Sequence, residues 1–324
     1  MKILILGAAG MLGRKLLERL AAQPVLNGVP VTGAVLHDVV ETVPPAGLPF
    51  PVEVLTGDYA APRVADRLIA ARPAVIFHLA SIVSGEAEAR FEEGYRINLD
   101  GTRALFEAIR LTADYTPRLV YTSSLAVFGA PFPDVVDDDF LTAPASSYGT
   151  QKVIAELLLA DYSRKGFLDG VAIRLPTICV RPGRPNAALS GFISGIIREP
   201  LNGIEAVLPV EESLRVWIAS PRAAVGYLLH AAGIDTAPLG ARRSLNMPGV
   251  CVRIGEQIEA LRAHAGDAAV ALIRRRPDPV VARVVGGWPQ ALTAQRALAL
   301  GFTGDDGFAG ILDAYLTEDF RPAA

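Results

Sequence analysis

Cysteine is almost missing from this chain: only Cys179 and Cys251 occur among 324 residues. Two isolated thiols make neither a disulfide framework nor a metal quartet, so a reducing cytoplasm is the expected compartment and no metal site is expected. Lysine is nearly as scarce, with Lys2, Lys15, Lys152 and Lys165 the only four. Charge of one sign is lacking too. The net charge is −3, and Arg274-Arg275-Arg276 is the one basic cluster. Neither nucleic acid nor an anionic membrane is therefore an expected partner. No apolar run approaches the roughly 20 residues that a membrane-spanning helix needs. The 30 glycines and 24 prolines are spread along the chain, with no low-complexity tract or internal repeat. What remains is length and an apolar content of 51%, enough for one large domain or two unequal ones.

The opening "MKILILGAAGMLG" has two readings. As an export signal its apolar core is too short. As a buried strand, Ile3 to Leu6 runs into Gly7, Gly10 and Gly13, and an amphipathic segment from Met11 follows. Strand, glycine loop and helix form the phosphate-binding unit of a doubly wound sheet, where glycines admit a pyrophosphate to backbone N–H groups at a helix start. A second strand, Val31 to Asp38, ends in an acid placed to accept ribose hydroxyls. Its charge would repel a 2′-phosphate, and Val39-Val40-Glu41 offers no arginine to hold one, so NAD is expected over NADP. A third strand ends at Asp58, which could accept the adenine amino group, with Tyr59 beside it. Val75 to Ser81 and Arg118 to Ser124 are apolar runs suited to strands buried on both faces. A long helix opens at Asn98 to Thr102. His78 lies within an apolar strand and is expected to be structural or to line the pyrophosphate. This alternation predicts an α/β fold of Rossmann type, a doubly wound parallel sheet.

"SSYGTQKVIAELLLADY" places Tyr148 and Lys152 four apart at the start of a helix, on one face. A phenol titrates near pH ~10, so a base at neutral pH needs a cation nearby to stabilise its ionised form. Lys152 supplies that cation. Ser124 ends the preceding strand and could hold a reacting oxygen.

Together, "GAAGMLG", "LHD", "HLAS", "NLDGT", "TSSLAVFG", "YGTQK" and "IRLPTICVRPG" resemble the extended short-chain dehydrogenase/reductase family over nearly the whole chain. The resemblance implies a catalytic set of Ser124, Tyr148 and Lys152. It puts Gly7, Gly10, Met11, Leu12 and Gly13 beside the pyrophosphate, Asp38 on the adenosine ribose and Asp58 on the adenine. Leu79 and Ala80 line the cofactor, Asn98 is a structural or relay residue, Lys152 also binds the nicotinamide ribose, and Pro176, Thr177 and Ile178 approach the carboxamide. A narrower likeness, in "EAEARFEEGYRINLDGTRAL" and "AVFGAPFPDVVDDDF", is to members that oxidise the C2 hydroxyl of a four-carbon sugar acid with NAD. Nucleotide-sugar epimerases or dehydratases share the fold. They commonly carry "VYG" where this chain has Val127-Phe128-Gly129, and an acidic pair where it has Ser220-Pro221. A dinucleotide sensor without turnover is the reading from a different class, and an intact Ser124, Tyr148 and Lys152 set argues against it.

The resemblance implies a division into 1–173 for the NAD-binding domain, with a segment of about 214–247 returning to the main sheet, and 174–213 with 248–324 for a smaller C-terminal substrate-binding cap. Helices are expected from Leu189 to Arg198, after Ser220-Pro221, and from Gly255 to His264. A hydroxy-acid substrate needs a cation, and Arg181, Arg184, Arg215 and Arg222 are the candidates, Arg222 foremost. Ser81, Ser84 and Glu86 follow the fourth strand and could reach sugar hydroxyls. Pairing through long helices, common in such folds, makes a homodimer the expected assembly.

Overall fold

The computed structural model describes residues 1–183 and 189–321. These divide into two compact units. The first comprises Met1–Val127, Ser146–Arg174 and Val225–Leu245, and the second Phe128–Ala145, Leu175–Ala224 and Asn246 onward.

The first unit is built on a sheet whose strands are β1 (Lys2–Leu6), β2 (Gly33–Asp38), β3 (Val52–Thr56), β4 (Val75–His78), β5 (Arg118–Ser124), β6 (Asp169–Leu175) and β7 (Ser244–Asn246). Their spatial order is β7-β6-β5-β4-β1-β2-β3. The pairs β3–β2, β2–β1, β1–β4 and β4–β5 are parallel, with Leu6 facing both His37 and His78. Strand order reverses beside β1, so the carboxyl ends of β1 and β4 open the crevice where such sheets bind ligands. Ile3 to Leu6 and Val75 to His78 are buried throughout, as expected for strands covered on both faces.

The covering helices are α1 (Met11–Ala22), α2 (Val64–Ala70), α3 (Ser84–Ala89), α4 (Phe91–Tyr95), α5 (Thr102–Leu111) and α6 (Ser147–Arg164). Between α4 and α5 a π-helical turn runs from Arg96 to Gly101. The helix expected from Asn98 thus begins earlier, and Asn98 lies inside a widened turn. Such turns re-aim a side chain without breaking the helix. One face of α5 buries Leu105, Phe106, Ala108 and Ile109. The buried face of α6 instead carries Gln151, Lys152, Glu156 and Ser163 among its apolar residues. Long charged side chains are rarely buried without partners, so that face points to the chemistry.

The returning segment takes a different form from the expected one. Strand Arg215–Ala219 does not join the main sheet. It pairs in parallel with Thr177–Ile178 and antiparallel with Val250–Arg253, inside the second unit. Its burial alternates before Ala219, with Val216 and Ile218 buried and Arg215 and Trp217 only partly so. That suits a small sheet with one face on a core, not a strand covered on both faces. Val225–Leu245 is the part that groups with the first unit. Arg118 fastens it there by donating to the carbonyls of Ala231 and Ile234 and to Asp169, which also accepts from Thr236 and Arg243.

In the second unit, helices Gly191–Leu201, Ile254–Val270 and Phe308–Glu318 enclose a core that includes Ile193, Ile197, Ile218, Ile254, Leu261 and Ile311. Pro221–Ala231 is the helix expected after Ser220. The Ser220 hydroxyl accepts from the Ala223 N–H and donates to Asp305 at 2.6 Å.

Candidate functional site

The glycines after β1 are explained by what a side chain would strike. Gly7 has φ +88°, and a Cβ there would lie 2.7 Å from the Ala80 nitrogen and 2.9 Å from the Leu79 carbonyl carbon. The turn after β1 therefore touches the turn after β4. A Cβ on Gly13 would lie 2.3 Å from the Gly7 oxygen, so Gly13 lets α1 close down on the loop. Gly10 is the N-cap of α1, and no side chain caps this helix. N–H groups at an uncapped helix start need an acceptor and carry the positive end of the dipole. These residues fit a dinucleotide pyrophosphate.

Asp38, at the end of β2, is half-buried. One carboxylate oxygen accepts from the Ala9 N–H at 2.9 Å and the other from the Val40 N–H at 3.3 Å. It thus stiffens the glycine loop. Asp58 accepts from the Ala60 N–H and pairs with Arg96 at 2.6 Å. Tyr59, next to Asp58 in sequence, turns inward. It is buried, its hydroxyl donates to the Ile97 carbonyl, and its ring fills the space that a Gly101 side chain would take. Burial pushes its phenol well above the ordinary value.

Ser146 caps α6 by accepting from the Gly149 N–H, and Glu88 of α3 accepts from the Ser147 N–H. This fixes the first turn, which presents Tyr148. One turn on, the Lys152 ammonium lies 5.4 Å from the Tyr148 ring centroid and 4.7 Å from that of Tyr121. It donates to the Thr122 carbonyl at 2.8 Å. The side chain is buried, with 2% exposure. Burial lowers its pKa from 10.5 to about 7, and the Glu156 carboxylate opposes the fall. Ser124, partly exposed at the end of β5, accepts from the Ala126 N–H.

Behind this pair is a buried polar lattice. The Asn98 amide exchanges hydrogen bonds with the Ile82 backbone, donates to Gln151 at 2.7 Å and accepts from Ser81 at 3.0 Å. Ser81 is therefore engaged with Asn98. Ser84 begins α3, and Glu86 pairs with Arg90. Glu156 accepts from Ser123 at 2.5 Å and from Nε and Nη2 on one edge of the Arg174 guanidinium, at 2.8 to 3.2 Å. Reading single motifs misses Gln151, Glu156, Ser123 and Arg174. The spacing of Tyr148, Lys152 and Glu156 at four-residue intervals on one helix is the signal that could have found Glu156.

Pro176, Thr177 and Ile178, expected near the carboxamide, and the candidate substrate cations Arg181, Arg215 and Arg222 fall in the second unit, whereas Ser81, Ser84 and Ser124 fall in the first. Thr177 and Ile178 form a strand, preceded by buried Pro176. Arg181 donates to the Ile178 carbonyl and the Ser190 hydroxyl. Arg215 donates to Gln290 at 3.4 Å. Arg222 is 45% exposed and pairs with Glu318 at 2.6 Å. Arg184 lies outside the described residues. Among the described residues, no group of three or more His, Cys, Asp or Glu could hold a metal ion, and no helix is long and apolar enough to cross a membrane.

Comparison with known proteins agrees with this geometry. A D-erythronate dehydrogenase of Cupriavidus necator is 47% identical over 98% of both chains. A D-erythronate dehydrogenase of Haemophilus influenzae is 40% identical over 98% of this chain and all of its own. A crystal structure described as a nucleoside-diphosphate-sugar epimerase from Agrobacterium tumefaciens is 56% identical and superposes with a TM-score of 0.96, covering 98% of this chain and 94% of that one. Residues 3–231, from the first buried strand past the Tyr148 helix, match the family model for NAD dependent epimerases and dehydratases. With the glycine loop, the strand order and that match in agreement, the chain belongs to the NAD dependent epimerase/dehydratase family.

Proposed function

We propose that the protein oxidises the C2 hydroxyl of a small sugar acid, D-erythronate to 2-oxo-D-erythronate, with NAD. The observation that carries the chemistry is the buried ammonium of Lys152 beside the Tyr148 ring. The two full-length D-erythronate dehydrogenase relatives support the substrate. Tyr148, as phenolate, takes the proton of the C2 hydroxyl. Lys152 lowers the cost of that phenolate by its charge. Ser124 donates a hydrogen bond to the same oxygen and holds it within reach of Tyr148. NAD, when bound, supplies the acceptor for the hydride that leaves C2. Gly7, Gly10, Met11, Leu12 and Gly13 hold its pyrophosphate, and Asp38 its adenosine ribose. Arg222, the foremost candidate for the substrate carboxylate, pairs with Glu318 in this structure, and a solvent-exposed pair of this kind is weakly held.

The description of the Agrobacterium structure favours a second reading, a nucleotide-sugar epimerase. Incubation with NAD and D-erythronate separates the two. A dehydrogenase releases one NADH per sugar acid consumed. An epimerase regenerates its NAD and releases none, and a sensor binds NAD without turnover. Absence of NADH with D-erythronate and related aldonates would overturn the proposal. For the assembly we propose a homodimer paired through long helices. Exposed Leu111 on α5 and Leu157 on α6, at 70% and 66%, support it. Monomeric mass in light scattering would exclude it.

A further inference from the structure

We propose that Glu156 and Arg174 are positioning residues that set the charge of Lys152, and through it the readiness of Tyr148. The kinetic part of this rests on the dehydrogenase reading above. The electrostatic part does not.

Tyr148, Lys152 and Glu156 follow one another at four-residue intervals, and Lys152 and Glu156 both lie on the buried face of α6. A lysine this deeply buried with no counter-charge would shed its proton, and Tyr148 would lose its cation. The groups around the ammonium offer little other help. From β5 come the neutral ring of Tyr121 and the Thr122 carbonyl. From β4 comes His78, buried and held neutral, with Lys152 itself opposing its charge. Among the described residues, Glu156 is the anion that acts on the ammonium. It is not a bare anion, because Arg174 of β6 grips both of its oxygens and Ser123 donates to one. Side-chain exposures of 5% for Glu156 and 11% for Arg174 keep that pair from solvent.

The consequence is a graded device. Glu156 draws a proton onto Lys152, and Arg174 limits how strongly it does so. Removing either member therefore moves Lys152 in opposite directions. A purely structural pair would have no such sign. Its loss would loosen the helix the same way from either side.

The chain has only four lysines, so labelling with [13Cε]lysine gives a spectrum in which Lys152 is assignable by its loss in a Lys152→Arg variant. Titration of that resonance needs no substrate and no turnover. The expected order of midpoints is Arg174→Met highest, then wild type, then the double variant Glu156→Gln/Arg174→Met, then Glu156→Gln lowest. Each single change should move the midpoint by about one pH unit. The double variant removes both buried charges at once and is the most secure folder, since breaking one side of a buried pair costs more than replacing both. If the single variants do not fold, a double-variant midpoint below wild type upholds the inference, and one at or above wild type overturns it. Single variants that fold and shift in the same direction, or not at all, overturn it as well. With D-erythronate and NAD, the alkaline limb of kcat/KM should follow the same order. Midpoints in the expected order without matching activity would sustain the electrostatic inference and count against the assigned reaction instead.

Discussion

The carboxylate of Asp38 accepts a hydrogen bond from the Ala9 N–H at 2.9 Å, tying the end of the second strand to the glycine loop after the first. Asp38 holds the loop, and under the proposed cofactor assignment it has a second, separable task, rejecting a 2′-phosphate. Asparagine can still accept from Ala9 but carries no charge. Asp38→Asn should leave thermal stability near wild type while the preference for NAD over NADP, measured as a ratio of kcat/KM values, falls about tenfold or more. Asp38→Ala removes both tasks and should also raise KM for NAD. An unchanged cofactor ratio in Asp38→Asn would remove Asp38 from the cofactor site.

Gly13 is required for packing, not for backbone freedom. A methyl group there would lie 2.3 Å from the Gly7 oxygen and 2.7 Å from the Ala8 Cα, both backbone atoms that cannot rotate away. Gly13→Ala should force α1 from the sheet, destabilise the protein by about 1–3 kcal/mol and weaken NAD binding measured by calorimetry. At Gly10, the nearest atom to an added Cβ is 3.2 Å away, so Gly10→Ala should be milder. Equal effects at the two positions would contradict the packing argument.

Much of this site is legible in the sequence where its signal is local. Gly7, Gly10 and Gly13 occupy one turn, and Tyr148 and Lys152 share one face of one helix, so spacing alone implies contact. Glu156 is on that same helix, but its meaning depends on Arg174, 18 residues on and on a strand. Asn98 and Gln151 meet across 53 residues, and Arg222 and Glu318 across 96. No periodicity reports such pairings. Strand Arg215–Ala219 reads as β in sequence, yet its choice of Val250–Arg253 as partner depends on which core needs Val216 and Ile218. Tyr59 follows Asp58 at a strand end and looks available. The space left by Gly101 is what draws it inside.

Lys152 illustrates a site that costs stability. Its pKa in the folded protein is about 7 against an ordinary 10.5, so between those values the unfolded chain holds more protons than the folded one. Stability from this group therefore rises with pH across that window and is lost as pH falls toward about 7. Lys152→Met abolishes this dependence. The variant's stability relative to wild type should be greatest below neutrality and shrink by on the order of 3 kcal/mol toward about pH 9.5, followed by thermal unfolding across pH. Its turnover should fall by about a thousandfold, as should that of Tyr148→Phe. A stability difference independent of pH would mean that Lys152 is not desolvated as the fold requires.

His78 gives the acid side of the same argument. Its Nε2 lies 3.1 Å from the Thr102 hydroxyl, and that hydroxyl donates its only hydrogen to the Asn98 carbonyl at 2.8 Å. His78 must then donate, so the proton sits on Nε2 and Nδ1 is left bare, buried between the rings of Tyr59 and Tyr121. A second proton would be buried there and would place a cation near Lys152, and the His78 backbone only partly offsets that cost. Burial first, and Lys152 second, lower the pKa from 6.5 to about 3. The folded state therefore binds fewer protons than the unfolded state between those values, and stability is lost as pH falls below 6.5. The loss from this group alone reaches about 2 kcal/mol by about pH 5. His37 is also buried with a lowered pKa and adds a loss of the same sign, so the informative comparison is between wild type and His78→Gln. Glutamine keeps a donor for Thr102 and cannot titrate. Its melting temperature should fall less than that of wild type between about pH 7 and pH 5. Parallel melting curves for the two proteins would show that the His78 proton takes no part in acid unfolding.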